Sequence, residues 1–348
     1  DVRHAGLHQP ERVLAIAGPC QHAQLRKMPM RELRGSHRRL DVVDREHQQL
    51  REPLGDQHPR FEGAHRTVES HHDLDDARLH RSRDALNAGL PNTSGAFTVN
   101  RLCGSGMQAI VSASQTILLG DSDAAIAGGV ESMSRAAYAN LTQRWGQRMG
   151  DGKTIDMMVG ALTDPFDTMH MGVTAETVAK QCGIGREQQD AFAVESHRRA
   201  VAAIAAGHFK SQILPIELKS KKGPVMFDTD EHPRSDASME GMAKLKPAFA
   251  KENGSVTAGN ASGINDAAAA VVLMEAGAAA KKGLKPMARL VSYGHAGIDP
   301  KIMGLGPVTA VQRALARAGL KASDMDVVEP NEAFAAQVLA CLKGLDVD

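Results

Sequence analysis

The sequence predicts a layered α/β protein in which helices pack on a sheet, and three observations carry this prediction. Segments with strand and helix patterns alternate from residue 86 onward, as is typical of α/β folds. Aromatic residues make up only 3% of the chain, which also holds 33 glycines and many alanines, and this composition suits closely packed helices. With 348 residues, the chain is long enough to bury a large core and to form two or three domains.

Charge and cysteine usage exclude several classes of protein. Lys plus Arg and Asp plus Glu each number 41, so the balance disfavours nucleic acid and anionic membranes as partners. No apolar run reaches the roughly 18 residues of a membrane-spanning helix, and the N-terminus lacks a secretory pattern. The four cysteines are widely spaced and form no C-x-x-C pair: Cys20, Cys103, Cys182 and Cys341. They indicate free thiols in the cytoplasm and predict neither disulfides nor a metal site.

Residues 1–85 differ in composition from the rest of the chain. Residues 1–84 hold 10 of the 15 histidines and 14 arginines but a single lysine, without a sustained strand or helix period. A metal site there would draw on Cys20, His22, His58, His65, His71 and His72, but no ligand pair has a recognised spacing backed by a second pair. A basic nucleic-acid arm is disfavoured because 15 basic residues meet 14 acidic ones. We interpret this segment as disordered or as a shifted reading frame, and expect no functional residue before Leu86.

The first ordinary elements follow residue 86. The run "AFTVN" predicts a short strand, and "GMQAIVSASQTILLGD" predicts a helix because its apolar residues recur at helical spacing until Gly120. The run "AAIAGGVES" predicts a buried strand that stops at Gly128 and Gly129. The less periodic region of about 132–255 contains two clear helices, in "TAETVAKQCG" and "GREQQDAFAVESHRRAVAAIAAGHF". Such a region predicts an excursion from the core.

The core pattern returns in the last third of the chain. The run "NDAAAAVVLMEAGAAAKKGL" predicts an alanine helix, then a strand over Val271–Met274, then a second helix. A strand in "ARLVSYGHAG" and a helix in "GPVTAVQRALARAGL" follow. The run "MDVVEPNEAFAAQVLACLKGL" predicts a strand, a polar turn and the start of a helix.

Cys103 occupies an unusual place, between the "TVN" strand end and the Gly-Ser-Gly that opens a helix. The thiolate is the nucleophilic form of cysteine, and its pKa, about 8.5 when free, falls at a helix N-terminus. This position therefore favours a reactive thiol. A core cysteine packed under a glycine turn is the alternative interpretation, and a redox sensor is disfavoured because no second cysteine lies nearby in the sequence.

Seven stretches in order resemble thiolases of the biosynthetic type, the acetyl-CoA acetyltransferases and β-ketothiolases. They are "VNRLCGSGMQA", "AGGVESMSRAAY", "HMGVTAETVAKQ", "DEHPRSD" with "MAKLKPAF", "TAGNASGINDAAAA", "DPKIMGLGPV" and "VEPNEAFAA". The resemblance covers about residues 86–348. It implies a layered α-β-α-β-α core with an inserted loop domain, incomplete at both ends, and an assembly of two or four identical chains.

The resemblance also divides the chain. It implies that residues 86–131 and 265–284 form part of an N-terminal core half, that 132–264 form a loop or lid domain, and that 285–348 form part of a C-terminal half. Residues 1–85 lie outside the family pattern. The implied activity is the condensation of two acyl-CoA molecules to a 3-ketoacyl-CoA and CoA, or the reverse thiolysis, within fatty acid metabolism.

The family's site residues map onto this chain one by one. Cys103 matches the nucleophile that carries the acyl group, and Asn331 matches the asparagine that fixes a water in an oxyanion hole. The residues that match the walls of the CoA and acyl site are Leu162, His170, Met171, Arg234, Phe249, Ala258, Ser262, Met303, Ala333 and Phe334. The family uses coenzyme A as substrate and product and needs no metal or redox cofactor.

Alternatives remain for several of these residues. Asn331 could be a helix N-cap, His170 and Phe334 could be structural, and Arg234 could be a solvated loop charge. His295 has the chemistry of a base but does not match the family's catalytic histidine. The family's Gly-His-Pro and Cys-x-Gly-Gly-Gly motifs do not occur in this sequence. The second hypothesis is therefore a catalytically defective chain that only binds acyl-CoA or pairs with other subunits.

Overall fold

The protein is built around a central six-stranded sheet. This computed structural model describes residues 40–43, 65–71 and 85–347. Its strands are β1 (Leu40–Val43), β2 (His65–His71), β3 (Gly95–Val99), β4 (Ala124–Ser132), β5 (Tyr138–Asn140), β6 (Thr154–Asp156), β7 (Ile216–Leu218), β8 (Val225–Phe227), β9 (Asp266–Glu275) and β10 (Ala288–Arg289). The central sheet has the order β10-β1-β9-β4-β2-β3, while β5 with β6 and β7 with β8 form separate two-stranded sheets.

Helices accompany the strands. They are α1 (Ser105–Leu118), α2 (Met157–Ala161), α3 (Met171–Cys182), α4 (Arg186–Ala205), α5 (Met239–Ala243), α6 (Ala276–Lys281), α7 (Gly306–Ala318) and α8 (Ala335–Leu345). Of these, α1 and α6 contact the central sheet. Short 3-10 turns span Met133–Arg135, Gln143–Trp145, Pro300–Leu305 and Ala322–Asp324. The layered α/β prediction is confirmed. Among the described residues, no helix combines the length and the apolar character that crossing a membrane requires.

The pairing of β4 with β9 forms the middle of the sheet. The two strands are antiparallel and stay in register from Ala124 opposite Met274 to Ser132 opposite Asp266. Gly128 permits this close approach, because a Cβ at that position would lie 2.7 Å from the carbonyl oxygen of Ala269. On the other side β4 pairs in parallel with β2, which pairs in parallel with β3.

Helix α1 packs on this sheet through small side chains, and its residues Ala109, Ala113 and Ile117 are buried at a spacing of four. They contact Ala127 of β4 and Leu273 of β9 in one core cluster, in which Leu273 is fully buried. Spacing of four places side chains on one helix face, so the local sequence pattern and the packing agree. The predicted helix in "GMQAIVSASQTILLGD" and the presence of a strand in "AAIAGGVES" are therefore confirmed. The prediction that this strand stops at Gly128 and Gly129 is wrong, because both glycines stay paired with β9 and the strand continues to Ser132.

Three predicted elements of the last third of the chain differ in the structure. The alanines of 267–270, predicted as a helix, belong to β9, because strand pairing with β4 over the whole run outweighs their helix propensity. The strand predicted in "MDVVE" is absent from the described residues, where 3-10 turn and extended chain occupy 322–330. In "ARLVSYGHAG" only Ala288 and Arg289 pair as a strand.

The segment before residue 86 also departs from expectation. Its sequence pattern predicts no strands, yet β1 and β2 come from it, and β2 lies between two other strands of the sheet. Both runs are short, which explains why no sustained period reveals them. The metal-ligand candidates Cys20, His22, His58 and His72 lie outside the described residues, as do the side chains of His65 and His71.

Candidate active site

The turn that carries Cys103 has a constrained backbone. Leu102 adopts a φ of 47°, the left-handed region that a non-glycine residue occupies only at a cost of about 1–3 kcal/mol. Its backbone N–H donates to the Asn100 side chain at 2.9 Å, which fixes the entry to the turn. The Ser105 hydroxyl accepts from the Arg101 N–H at 2.7 Å and donates to the Leu102 carbonyl at 2.6 Å. These three hydrogen bonds fix the turn that places Cys103 just before the start of α1.

The surroundings of the Cys103 thiol oppose its ionisation. Cys103 is exposed as a residue, but the protein around the thiol displaces enough water to raise its pKa. The carboxylate of Glu131 also raises the pKa of Cys103, while a backbone hydrogen bond acts in the opposite direction. The expectation that the start of α1 lowers this pKa is therefore wrong, because desolvation outweighs the helix N-terminus. A base must assist the formation of the thiolate.

His170 occupies the start of α3 and stacks on an aromatic side chain from another segment. Its Nδ1 accepts from the Gly172 N–H at 3.0 Å as the helix N-cap. Partial burial lowers the pKa of His170, so the ring is neutral at pH 7 and carries its proton on Nε2. The ring lies 4.8 Å from that of Phe249 with an interplanar angle of 18°. The edge of Phe249 meets Phe334 at 6.3 Å.

Two of the candidate stretches lie side by side. The Ser262 N–H donates to the Ala333 carbonyl at 3.0 Å, and Ala261 forms an antiparallel bridge with Phe334. The Met171 N–H donates to the Leu162 carbonyl at 2.8 Å, which brings the loop before α3 to the same helix start as His170. The structure thus gathers Leu162, His170, Met171, Phe249, Ser262, Ala333 and Phe334 into one connected group, hereafter the aromatic group. Ala258 lies on the exposed loop just before Ser262.

Asn331 lies just before Ala333 and Phe334, which belong to the aromatic group. Helix α8 begins at Ala335 with Phe334 as its N-cap residue, so the alternative interpretation of Asn331 as a helix cap is wrong. The side chain of the next residue, Glu332, accepts a hydrogen bond from Ser196 of α4 at 2.6 Å. The segment that carries Asn331 is therefore tied to α4, although it has no regular secondary structure.

Three candidate residues stand apart from the aromatic group. Arg234 is exposed, pairs with Asp236 at 2.7 Å and donates its backbone N–H to His197 at 3.2 Å. Met303 is exposed in the 3-10 turn before α7. Among the described residues, no hydrogen bond, ion pair or ring contact joins Cys103, Arg234 or Met303 to the aromatic group.

The sequence analysis did not identify some of the residues that shape the site. Leu102 gives no local sign of a left-handed conformation, although Asn100 two residues earlier is typical of a side-chain-capped turn. Glu131 lies at the end of β4, where only the sheet brings it near Cys103. In the described part of the chain, His, Cys, Asp and Glu side chains form no group of three that could hold a metal ion.

Comparisons with known proteins give a consistent result. The thiolase N-terminal domain family matches residues 71–277, and the thiolase C-terminal domain family matches 284–348. The first match begins before the boundary at residue 86 that the motifs suggest. The beta-ketothiolase BktB of Cupriavidus necator is 65% identical over 264 residues, covering 76% of this chain and 67% of the relative. An acetyl-CoA acetyltransferase of Syntrophomonas wolfei is 52% identical over 263 residues, covering 75% of this chain and 66% of the relative.

Solved structures agree with these relatives. The Bacillus anthracis acetyl-CoA acetyltransferase superposes with a TM-score of 0.78 at 47% identity, covering 82% of this chain and 72% of that structure. Human mitochondrial 3-ketoacyl-CoA thiolase superposes with the same TM-score at 42% identity and the same coverage. The chain spans about two thirds of the length of the curated relatives it matches.

Proposed function

Because this chain belongs to the thiolase family, we propose that it is an acyltransferase that condenses two acyl-CoA molecules or cleaves a 3-ketoacyl-CoA with CoA. The observation that carries the proposal is the position of Cys103. It lies just before the start of α1, next to Leu102 with its left-handed φ, within a motif that matches the thiolase family. A thiol suits this chemistry, since it attacks a thioester and its own thioester stays reactive toward a carbanion or toward CoA. Structural cysteines need no such turn.

The reaction divides into two steps that share an acyl-cysteine. In the first, the Cys103 sulfur bonds to the thioester carbonyl carbon, CoA leaves as a thiolate, and the thiol proton passes to a base. In the second, a base removes an α-proton from another acyl-CoA, the resulting carbanion attacks the same carbonyl carbon, and the Cys103 thiolate leaves and takes up a proton. Backbone N–H groups at the start of α1 support the oxyanion formed in each addition. Thiolysis is the same sequence reversed.

The raised pKa of Cys103 determines what the first step requires. With the thiol protonated at neutral pH, the nucleophile forms only as its proton is removed, so acylation depends on a base. Asn331 takes the role of stabilising the enolate oxygen of the second acyl-CoA. Neutral His170, with Nε2 as a donor, contributes a hydrogen bond on the wall where Phe249 and Phe334 supply apolar surface. Arg234 serves the phosphate end of CoA.

The wider setting belongs to the same proposal. The protein acts on acyl-CoA within fatty acid metabolism, in the cytoplasm, with coenzyme A as substrate and product and without a metal or redox cofactor. A homodimer or homotetramer is supported by apolar side chains that stand exposed around β5 and β6, among them Leu141, Trp145 and Met149. Large apolar side chains exposed close together in the sequence are typical of protein interfaces.

Acylation of Cys103 is the direct test. The chain is incubated with acetyl-CoA, and peptide mass spectrometry locates any added acetyl group. In a parallel reaction it is incubated with acetoacetyl-CoA and free CoA, and absorbance follows loss of the 3-ketoacyl-CoA. We expect acetylation at Cys103 together with thiolysis, and the loss of both in Cys103→Ser. Cys182→Ser, which removes another free thiol, is the matched control and retains both. Acetylation without turnover would support the defective-chain hypothesis, and an unmodified Cys103 would refute the proposal.

A further inference from the structure

A polar network behind the aromatic group centres on Asn260, a buried residue that the sequence motifs do not single out. Its side-chain amide donates to the Asp190 carboxylate at 2.9 Å and to the Ser255 carbonyl at 3.0 Å. Its side-chain oxygen accepts from the Thr257 N–H at 2.8 Å. Every polar atom of the Asn260 side chain is therefore used, and a buried amide so fully paired fixes the backbone around it.

The backbone of Asn260 reaches the other wall of the site. Its carbonyl accepts from the Ala335 N–H at 2.9 Å, at the first residue of α8. Beside this bond, Ser262 donates to Ala333 and Ala261 bridges Phe334. The loop 257–262 and the segment 331–335 are thus joined by two backbone hydrogen bonds that flank the Ala261–Phe334 pair, and the Asn260 carbonyl accepts one of them.

Helix α4 supplies the rigid base for this junction. The Asp190 carboxylate, itself buried, also accepts from Arg186 at 2.7 Å, one helical turn earlier. The Arg186 guanidinium donates to the carbonyls of Met242 and Leu245, at the end of α5. The Met242 side chain in turn packs so closely on Gly259 that a Cβ there would come closer than 3.0 Å to it. Loop 257–262 is therefore held from α4 and α5 together.

A second anchor fixes the start of the same loop. The Glu176 carboxylate of α3 accepts from the Ser255 N–H, the Val256 N–H and the Ser255 hydroxyl, at 2.8–3.0 Å. His170 is the N-cap of helix α3, so one rigid helix carries a member of the aromatic group at its start and the Glu176 anchor between one and two turns later. Residues 255–260 consequently cannot shift without breaking charge-assisted hydrogen bonds.

We propose that Asn260 is a positioning residue that sets the spacing between loop 257–262, which carries Ala258 and Ser262, and segment 331–335, which carries Asn331 and Phe334. This rests on the proposed function, in which these two adjacent stretches together line the acyl-CoA site. Asn260 touches no substrate and acts through the backbone of both walls. Loss of the hydrogen bond between Asn260 and Asp190 lets loop 257–262 and segment 331–335 move together.

Exchanging the side chains of Asn260 and Asp190 distinguishes a positioning role of Asn260 from a general effect on stability. Asn260→Asp places two carboxylates in contact and removes the donor, whereas Asn260→Asp with Asp190→Asn restores one donor and one acceptor. The swap leaves the Ser255 carbonyl facing a carboxylate, so we expect partial recovery. Ser292→Ala, which removes one buried hydrogen bond to Ala314 on α7, is the control for ordinary destabilisation.

Hydrogen exchange and CoA binding are the two readouts. We expect Asn260→Asp to accelerate amide exchange in 257–262 and 331–336 together, with α1 unchanged, and to raise the Kd for CoA by at least about tenfold. In the swap variant, we expect amide exchange and the Kd for CoA to return most of the way to their values in the unaltered chain. Ser292→Ala should change neither of them. If Asn260→Asp does not fold, Asn260→Ala removes the same side-chain bonds without adding charge and is measured instead.

The outcomes distinguish this inference from the proposed function. Two results would overturn the positioning role, whether or not the Kd for CoA changes. One is faster amide exchange in Asn260→Asp that is confined to 257–262, and the other is a swap variant that behaves like Asn260→Asp alone. If the unaltered chain does not bind CoA, the proposed function fails, while coupled exchange in both stretches with rescue by the swap would still uphold the junction.

Discussion

Replacing Gly172 by alanine tests whether His170 and Phe249 act as one packed unit. Gly172 lies in the first turn of α3, and a Cβ there would come closer than 3.0 Å to ring carbons of Phe249, nearer than real Cβ atoms approach. The ring must therefore move. It stacks on His170 at 4.8 Å and meets Phe334 edge-on at 6.3 Å, so both contacts change when it does.

Two opposing effects set the change in the free energy of unfolding. Alanine in place of glycine favours a helix by about 0.5–1 kcal/mol. Overpacking a filled site costs about 1–3 kcal/mol. We expect the second effect to exceed the first by about 1 kcal/mol, which lowers Tm by roughly 2–4 °C in a domain of this size.

Binding is affected separately from stability. An aromatic pair contributes about 0.5–1.5 kcal/mol beyond its buried area, so loss of the His170 stack weakens CoA binding by roughly two- to tenfold if this wall contacts the ligand. Calorimetric titration with CoA measures the Kd, and thermal unfolding measures Tm.

Gly160→Ala in α2 is the matched control, because the nearest atom to its added Cβ lies at 3.9 Å, an ordinary contact. That variant should keep its Kd and should not lose Tm. The reasoning is refuted if Gly172→Ala raises Tm as much as Gly160→Ala does and leaves the Kd for CoA unchanged.

Three further predictions concern the thiol and the sheet. The raised pKa of Cys103 means that its alkylation by iodoacetamide, followed by peptide mass spectrometry, keeps accelerating as pH rises past about 8.5, the pKa of a free thiol, and a plateau below that pH would contradict this. Gly128→Ala forces a Cβ against the Ala269 carbonyl, a backbone atom that cannot turn away, and should lower the free energy of unfolding in urea by about 1–3 kcal/mol. Leu273→Ala empties a fully buried position under α1 and should cost about 2–5 kcal/mol in the same assay, and a change below about 1 kcal/mol would show that the core there is not packed as described.

The local sequence pattern predicted those helices and strands that bury one face against the rest of the fold. Helix α1 follows from apolar residues at a spacing of four, with Gly120 in a left-handed turn after its end. Strand β9 is only partly of this kind, because its residues Val271–Met274 were predicted as a strand but the alanines of 267–270 before them could not be. Its alanines favour a helix in isolation, and only the partner strand β4, more than a hundred residues earlier, makes them extended. The strand expected in "MDVVE" is the converse case, because an apolar run becomes a strand only where a neighbouring edge can pair with it.

The same distinction applies to the candidate site. The position of Cys103 at the start of a helix could be inferred from the Gly-Ser-Gly that follows it, but its pKa could not, because desolvation and Glu131 depend on how β4 and α1 meet. A helix N-terminus acts over one turn, whereas the loss of water from a thiol depends on every element packed around it. The direction of the shift is thus a property of the fold, and it makes proton removal, not nucleophile placement, the demanding part of acylation in this geometry.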